Sequence, residues 1–367
     1  MRAREYVPTR AGENVAIDAV QDGSSFSVRG EGIDIRFAVE GLALPAEADA
    51  SFAVWGLLPQ AMQEGINLCF SCPIDPAVVA NAERLSQIWE MWLPGLYRSI
   101  GITGKGEWSR PERKRLPHIY LYSGGVDSTY ALLNATHATP GFAATVCVDK
   151  IDDNNMPALI AKTEPILKTL DYTRIVIRNN IRTKPVGITH AFSLAASLFF
   201  LSDVFAGGTI AADSTYASEF AIWPWGNNHF TNSFFAGSDF AVRTIGSEAG
   251  RTEKIDAIAK AGIEVGHLSF CREENAIPDN CGLCDKCVTT KAMFLIATGD
   301  IPQIFLDNSF DERRLIKLLD RRTERADVFN MYFYAKRHGV LDRIGSLADL
   351  VEEGRSRARR RGVFGSG

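Results

Sequence analysis

The sequence lacks a membrane-spanning run, a secretory leader pattern and the even cysteine set of a disulfide scaffold. Its longest apolar stretch, residues 191–205, is interrupted by four polar residues, and therefore predicts a buried helix that leads into a strand rather than a membrane span. The four residues are Ser193, Ser197, Ser202 and Asp203. The first residues carry no apolar core of the kind that signal peptides need. Seven cysteines, an odd number, favour a protein of the reducing cytoplasm over a disulfide-bonded secreted protein.

A strong charge imbalance is also absent. The formal net charge is −4, so the chain as a whole attracts neither nucleic acid nor an anionic membrane. The arginine-rich end, residues 355–361, predicts a solvated tail, with a weak nucleic-acid or partner contact as the alternative. Apolar residues make up 46% of a chain of 367 residues, which is typical of a globular protein with two or three domains.

Residues 1–115 are predicted to form a β-rich N-terminal domain with an amphipathic helix and a linker. Apolar and polar residues alternate between Val15 and Val39, and Asp22-Gly23 is a typical hairpin turn. Asp75-Pro76 has the pattern of a helix start, which predicts a helix over residues 76–93. The basic segment 101–117, which includes Arg110, is interpreted as a solvated linker.

From residue 116 the pattern changes to apolar strands that alternate with single helices. Such alternation is typical of a parallel sheet covered on both faces, and predicts an α/β domain over residues 116–298. The predicted strands are Ile119–Tyr122, Ala144–Val148, Arg174–Ile177, Gly208–Ala212 and Glu264–Leu268. The predicted helices are residues 127–137, 156–170, 187–203 and 251–261. Residues 299–367 are predicted to be a helical C-terminal extension.

The segment 123–128, Ser-Gly-Gly-Val-Asp-Ser, joins the first of these strands to the first of these helices. Two glycines permit a tight turn, and a helix N-terminus offers unpaired N–H groups with partial positive charge, so the segment predicts an anion site. Ser123 and Ser128 add hydroxyl donors, and Asp127 can orient the loop or hold a cation. The segment lacks the lysine of a Walker A loop and the third glycine of a dinucleotide fingerprint.

Four cysteines in a polar segment have the spacing C-x9-C-x2-C-x2-C: Cys271, Cys281, Cys284 and Cys287. Four thiolates suit a tetrahedral zinc ion and leave no open position, so the predicted role of the zinc is structural. The alternative is an iron–sulfur cluster, but a ferredoxin run would place a further cysteine where Lys291 stands. Cys69 and Cys72 form a separate C-x2-C pair, which is interpreted as buried apolar packing with a redox pair as the alternative.

The loop and the cysteine cluster together resemble the 7-cyano-7-deazaguanine synthase (QueC) family of the N-type ATP pyrophosphatase superfamily. The resemblance covers about residues 117–298 and implies a Rossmann-like sheet of five parallel strands with a zinc knuckle. It implies Zn²⁺ on the four cysteines, and ATP with Mg²⁺ at the loop residues Ser123, Gly124, Gly125, Val126, Asp127 and Ser128. In that family, ATP adenylates 7-carboxy-7-deazaguanine, pyrophosphate leaves, and ammonia gives an amide and then a nitrile.

The chain departs from the family pattern just before the cysteine cluster. The family's Tyr-Pro-Asp-Cys-Arg substrate segment is absent, and residues 223–229 and 250–254 stand there instead. In this respect the chain is similar to QueC-like proteins of bacterial antiviral or specialised biosynthetic operons, some of which use an amine other than ammonia. The acceptor therefore stays open between ammonia and a protein or peptide amine.

Candidate substrate-binding residues follow the fourth predicted strand: Asp213, Tyr216, Trp225, Asn227 and His229. Aromatic stacking and amide hydrogen bonds would suit a planar heterocycle, and a structural lid or a homodimer contact is the alternative. The candidate catalytic residues are Asp127, Ser128, Arg251 and Lys254. The two cations would stabilise charge at the α-phosphorus of ATP, and a solvated helix end is their alternative role.

The resulting hypothesis is a cytoplasmic ATP-dependent ligase that forms a C–N bond on an adenylated carboxylate, with ATP and a small carboxylate heterocycle as its substrates. One alternative is a tRNA-thiolating enzyme of the same superfamily. The other is a non-catalytic subunit that binds ATP without turnover.

Overall fold

A computed structural model describes residues 10–110, 112, 114–135, 141–148, 154–181, 186–222, 226–319 and 322–360. Within these residues the chain has an α/β fold built on one ten-stranded, mostly parallel sheet, so the predicted α/β class is confirmed. The strand order across the sheet is β10-β9-β6-β7-β8-β3-β2-β1-β4-β5.

The strands are β1 (Asn14–Asp22), β2 (Ser25–Gly30), β3 (Ile33–Glu40), β4 (Asn67–Phe70), β5 (Ile102–Gly104), β6 (Ile119–Leu121), β7 (Gly141–Val148), β8 (Tyr172–Asn179), β9 (Gly208–Ala211) and β10 (Val242–Ile245). The α-helices are α1 (Phe52–Glu64), α2 (Pro76–Trp92), α3 (Val126–Leu133), α4 (Met156–Thr169), α5 (Val186–Phe199), α6 (Tyr216–Ile222), α7 (His229–Asn232), α8 (Arg251–Lys260), α9 (Asp285–Thr298), α10 (Leu315–Leu318), α11 (Arg322–His338) and α12 (Leu347–Arg360).

Strands β10, β9, β6, β7 and β8 run parallel to one another. The chain enters this half at β6, adds β7 and β8 on one side, and then returns to place β9 and β10 on the other side. The strand order therefore reverses at β6, and ligands of open parallel sheets bind beyond the carboxyl end of the strand where this happens. The segment 123–128 lies directly after that strand end.

Four of the five strands predicted for this half are confirmed, but the prediction at Glu264–Leu268 is wrong. There the chain forms a short 3₁₀ turn over Val265–His267, and the fifth parallel strand is β10. The backbone that follows this turn makes its hydrogen bonds outside any strand: Ser269 N–H donates to Gly124 O at 2.9 Å, and Phe270 N–H donates to the Asn280 side chain at 2.9 Å. These bonds hold the segment against the glycine loop instead of a strand edge.

The β-rich N-terminal segment extends the same sheet. Strands β1, β2 and β3 pair antiparallel, with the predicted hairpin turn at Asp22-Gly23, and β3 pairs antiparallel with β8. Their apolar residues face inward on alternate positions, as the sequence predicted. The predicted helix over residues 76–93 is α2, and the Asp75 side chain caps it by accepting from Ala77 N–H.

The interpretation of Arg110 as a residue of a solvated linker is wrong. Its side chain is only 8% exposed and ion-pairs with Asp49 at 2.6 Å and Asp239 at 2.7 Å. A further ion pair, with Asp203 at 3.5 Å, completes this set. The segment that precedes β6 is therefore anchored to both halves of the protein by buried charge.

Two apolar clusters cover the two faces of the sheet around β6. Ile119 and Leu121 belong to a cluster with α1, α2 and α5, whereas Tyr120 belongs to a cluster with α3, α8, α9 and α11. Adjacent residues of a strand point to opposite faces, so the two clusters lie on opposite sides of the sheet. The C-terminal helices thus pack over the same face as the helix that follows the glycine loop. No helix among the described residues combines the length and apolar character needed to cross a bilayer.

Candidate functional site

The glycine loop connects β6 to α3 in the arrangement that the sequence predicted. Gly124 has a φ of +78°, and a Cβ atom at this position would lie 2.4 Å from Thr163 Cγ2. Any other residue there would be strained and would also clash. Gly125 has an ordinary φ of −84° and precedes α3 with no side-chain cap, so the helix N-terminus is free of a competing side chain.

The two serines of the loop have different roles. Ser128 is buried, and its hydroxyl donates to Gly125 O at 3.2 Å and accepts from Ser123 N–H at 3.3 Å. The Ser123 side chain is exposed, and its Oγ lies 3.2 Å from Ser128 Oγ. Ser128 therefore fixes the loop conformation, whereas Ser123 is free to face a ligand as well.

Asp127, in the first turn of α3, joins the two predicted cations. Arg251 Nη2 donates to one carboxylate oxygen at 2.6 Å, and Lys254 Nζ donates to the other at 3.0 Å. Lys254 is almost fully buried and also donates to the carbonyl oxygen of Ala212, which follows β9, at 2.6 Å. Two helices that are distant in sequence, α3 and α8, thus meet at one carboxylate, and Lys254 also links them to the end of β9.

The ion pairs decide the protonation state of this cluster. Burial alone would raise the pKa of Asp127, but the charges of Arg251 and Lys254 outweigh burial and hold this pKa well below its usual range. The charge of Asp127 in turn raises the pKa of Arg251 against the opposing effect of burial. Asp127 and Arg251 therefore both stay charged across the physiological pH range.

Two neighbouring cavities lie on either side of this cluster. The smaller, of about 190 Å³, is lined by the glycine loop, Ser269, Phe270 and α9. The larger, of about 460 Å³, is lined by the segment after β9, the start of α8, and α11. Four residues line both cavities: Asp127, Arg251, Cys271 and Lys286. The charged cluster therefore forms the boundary between a loop-side space and a larger chamber.

Two charged side chains at these cavities have no hydrogen-bond or ion-pair partner among the described residues. Lys286 lines both cavities, and Asp327 of α11 lines the larger one. Burial is the main cause that lowers the pKa of Lys286, and the charge of Arg251 adds to it. Burial also raises the pKa of Asp327 to about 7, and the negative charges of Asp127 and Glu324 contribute.

Sequence reasoning missed both of these residues. Lys286 lies between two cysteines of the cluster, where the spacing argument concerns the thiolates alone, and Asp327 lies outside the segment that carries the family resemblance. A lysine among zinc-ligand cysteines was a usable signal for Lys286. No sequence signal distinguished Asp327 from the other acidic residues of the C-terminal helical segment.

Of the predicted substrate-binding residues that the structure describes, only Asp213 lines one of the two cavities. Asp213 lines the larger cavity, where its carboxylate lies 3.5 Å from His190 Nε2. Tyr216 and His229 pack edge-to-face on each other at 4.9 Å and line neither of the two cavities. The Asn227 side chain bonds to other groups of the protein, because its amide donates to Ala211 O and accepts from Asn232. Trp225 lies outside the described residues.

The four cysteines converge, as their spacing predicted. Their sulfur atoms all lie within 4.8 Å of one another, with separations of 3.8 Å between Cys281 and Cys287 and between Cys271 and Cys287. A tetrahedral zinc ion with Zn–S bonds of ~2.3 Å requires ligand sulfurs roughly 3.8 Å apart. The cluster can therefore hold a metal ion such as zinc.

Backbone and amide groups support this cluster. The N–H groups of Leu283 and Cys284 both point to Cys281 Sγ at 3.3 Å, as expected around a thiolate that ligates a metal. Asn280 is fully buried, accepts from Phe270 N–H and donates to Leu268 O, and so fixes the entry to the cysteine segment. Cys271 lines both cavities, which places the metal segment at the wall of the candidate site.

The arrangement can bind an anion at the glycine loop with cations behind it, and can hold a second polar group in the larger chamber. Comparisons with protein-family models, with curated proteins and with solved structures found no match to this chain.

Proposed function

We propose that this protein is an ATP-dependent ligase of the QueC-like type, which adenylates a carboxylate, releases pyrophosphate and joins the carboxylate carbon to an amine. In this proposal the five parallel strands are the sheet of the ATP pyrophosphatase superfamily. One observation carries the proposal: the glycine loop at the point of strand-order reversal is tied through Asp127 to Arg251 and Lys254. The carboxylate substrate is a 7-carboxy-7-deazaguanine or a similar heterocycle.

The smaller cavity suits the phosphates of the nucleotide. Its lining offers the N-terminus of α3, the Ser123 hydroxyl and the Lys286 ammonium, which are the donors that phosphate oxygens prefer. Arg251 stands where this cavity meets the larger one. We place the α-phosphorus at this boundary, where Arg251 and Lys286 stabilise the negative charge that develops as the carboxylate oxygen attacks.

Asp127 acts as a positioning residue in this mechanism. It holds Arg251 and Lys254 in one orientation before the nucleotide arrives, which lowers the reorganisation needed in the reaction. Both of its oxygens already accept from these cations, so its environment does not fit a direct ligand of Mg²⁺. We therefore assign no protein ligand to Mg²⁺ and expect it to enter with the triphosphate.

Zinc on the cysteine cluster has a structural role in this proposal. Four protein thiolates leave no open position for a substrate. The metal segment would instead fix Cys271 and Lys286 at the wall between the two cavities.

A tRNA-thiolating enzyme is the first alternative, and it needs a cysteine that can carry sulfur. Cys271 is the cysteine that lines the candidate cavities, and it belongs to the metal cluster. Cys147 is fully buried in β7. These positions favour the ligase over a sulfur carrier.

The test is an assay of AMP and pyrophosphate formation with ATP, a panel of 7-deazaguanine carboxylates, and ammonia or primary amines. We expect AMP only when a carboxylate is present. AMP that depends on tRNA would support the thiolation alternative, and ATP binding without AMP would support the non-catalytic subunit. Formation of ADP and phosphate would overturn the proposed position of the α-phosphorus.

The variant Asp127→Asn tests the positioning role. An amide has the same shape but leaves Arg251 and Lys254 without their anion, so we expect AMP formation to fall at least ~100-fold. The unpaired buried cations also cost about 3–5 kcal/mol of folding free energy, measurable by denaturant unfolding. Asp256→Asn on α8, which breaks a pair with the exposed Lys260, is the matched control and should keep full activity.

A further inference from the structure

We propose that Asp327 on α11 binds the amine acceptor in its ammonium form and takes a proton from it. This inference rests on the proposed ligase function and names the residue that handles the second substrate. Asp327 belongs to the C-terminal helical segment, outside the part of the chain that carries the loop and the cysteines.

The first support is the position of Asp327. It lines the larger cavity, and its carboxylate has no hydrogen-bond or ion-pair partner among the described residues. Its neighbours on α11 are already engaged, since Glu324 ion-pairs with Arg272 at 3.7 Å and Asn330 donates to Ser218 Oγ at 3.1 Å. Asp327 is therefore the acidic group of this helix that remains available to a ligand in the cavity.

The second support is the distribution of charge in the larger cavity. Arg251, Lys254 and Lys286 supply positive charge in this cavity, and Arg251 and Lys286 also line the loop-side cavity. Asp213 and Glu324 line the same chamber together with Asp327 and supply negative charge. A chamber with both signs suits an anionic acyl-adenylate and a cationic amine at the same time.

The third support is the acidity of the carboxyl group. Burial, together with the negative charges of Asp127, Glu324 and Asp213, raises the pKa of Asp327 to about 7, although the charge of Arg251 opposes this. A general base works best when its pKa lies near the working pH, because it is then both available and able to hold the proton.

The reaction is balanced with Asp327 in this role. The ammonium ion gives one proton to the Asp327 carboxylate, and the nitrogen lone pair then forms the C–N bond with the carbonyl carbon of the acyl-adenylate. The bond from this carbon to the AMP oxygen breaks, and AMP leaves with both electrons. A second proton leaves the nitrogen after bond formation and passes to solvent.

The experiment that tests this role of Asp327 has a binding arm and a kinetic arm. In the binding arm, propylammonium and the neutral 1-propanol are compared by saturation-transfer NMR at pH 8. We expect a signal from propylammonium with the wild-type protein and with the control Asp349→Asn on α12, and its loss in Asp327→Asn. An equal signal in Asp327→Asn would overturn the inference, whether or not the protein is a ligase.

In the kinetic arm, pyrophosphate exchange into ATP reports adenylation, and AMP release after addition of amine reports the second step. We expect the rate of pyrophosphate exchange in Asp327→Asn to stay within about twofold of the wild-type rate, and the rate of amine-dependent AMP release to fall ~100-fold. Asp327→Glu should restore part of the rate of AMP release. The wild-type second step should rise with pH through about 7, and this rise should vanish in Asp327→Asn. Loss of exchange in Asp327→Asn, or an unchanged second step, would overturn the inference. Absence of exchange in the wild type would instead refute the ligase proposal.

Discussion

Two cavities of similar size are each lined by charged side chains of low or intermediate exposure, and some of these side chains differ in whether the protein pairs them. The cavity beside the N-terminal strands measures about 420 Å³ and surrounds Arg110, which pairs with Asp49 and Asp203. The chamber beside the glycine loop measures about 460 Å³ and contains Asp327 and Lys286 without partners among the described residues. Volume does not distinguish the two cavities, but the pairing of their charges does.

The difference separates a structural cluster from a candidate binding site. Arg110 also donates to Ser202 Oγ at 3.0 Å, so both Nη groups of its guanidinium are hydrogen-bonded within the protein and connect segments that are distant in sequence. A charged side chain that faces a cavity without a partner lowers the stability of the folded protein. Proteins retain such a side chain where a ligand supplies the missing partner. We therefore expect substitution of Arg110 to affect stability, and substitution of the unpaired Lys286 or Asp327 to affect activity.

The cysteine cluster should give the largest effect, because its thiolates have no satisfactory partner except a metal. We expect Cys284→Ser, or prolonged chelation, to lower the melting temperature more than substitution of either Arg110 or Lys286. Structural zinc in small peptides binds with on the order of 10 kcal/mol, and that free energy is folding free energy. The control Cys69→Ser, outside the cluster, should keep the metal content measured by mass spectrometry. A metal-free protein of unchanged stability would contradict the structural role.

Arg110→Met should give the next largest loss of stability. It removes the buried cation that pairs with Asp49 and Asp203, which costs about 3–5 kcal/mol in denaturant unfolding. AMP formation should persist at temperatures where the variant is folded. Arg36→Met, which removes an exposed pair with Asp34, is the control and should change stability little. Loss of activity in Arg110→Met under conditions where the variant is folded would contradict the purely structural role of Arg110.

Lys286→Met should produce the opposite result. The ammonium has no partner among the described residues, so its removal should leave stability unchanged or higher. Loss of a cation at the developing phosphate charge should lower AMP formation by ~100-fold. Lys260→Met on the exposed face of α8 is the matched control. If Lys286→Met lost stability but kept its activity, Lys286 would have a structural role like that of Arg110.

Asp327→Asn should not lower the free energy of unfolding, but it should change how that free energy depends on pH. The pKa of Asp327 in the folded protein lies above the usual 3.8, so the folded protein keeps this proton at pH values where the unfolded chain has lost it. The resulting contribution to the free energy of unfolding is fully present below pH 4 and is lost as the pH rises through about 7. At ~1.4 kcal/mol per pKa unit the ionised group would cost a little over 4 kcal/mol above pH 7, and the partial solvent exposure of Asp327 lowers this cost to roughly 2–4 kcal/mol. Asp327→Asn should therefore be more stable than the wild type at pH 8 and similar at pH 4. Parallel curves for the two proteins would contradict the raised pKa.

Local pattern predicted much of the fold. The alternation in β1 and β3, the hairpin at Asp22-Gly23 and the cap at Asp75 all depend on near neighbours, and all are present. The prediction at Glu264–Leu268 failed because the hydrogen bonds of that region go to Gly124 and Asn280, which are far away in sequence. The four-residue β10 was missed because a strand this short has too few residues for alternation to be recognised.

For the candidate site, the sequence by itself determined the glycine loop and the convergence of the cysteines. Both depend on short-range geometry, since a strand–turn–helix and two-residue spacers leave the chain few conformations. Only the tertiary structure decided that Asp127 joins Arg251 and Lys254, that Arg110 is buried, and that Asp327 reaches the chamber from a C-terminal helix. These features depend on desolvation and on charges brought together from distant segments, and neither quantity is encoded in local spacing.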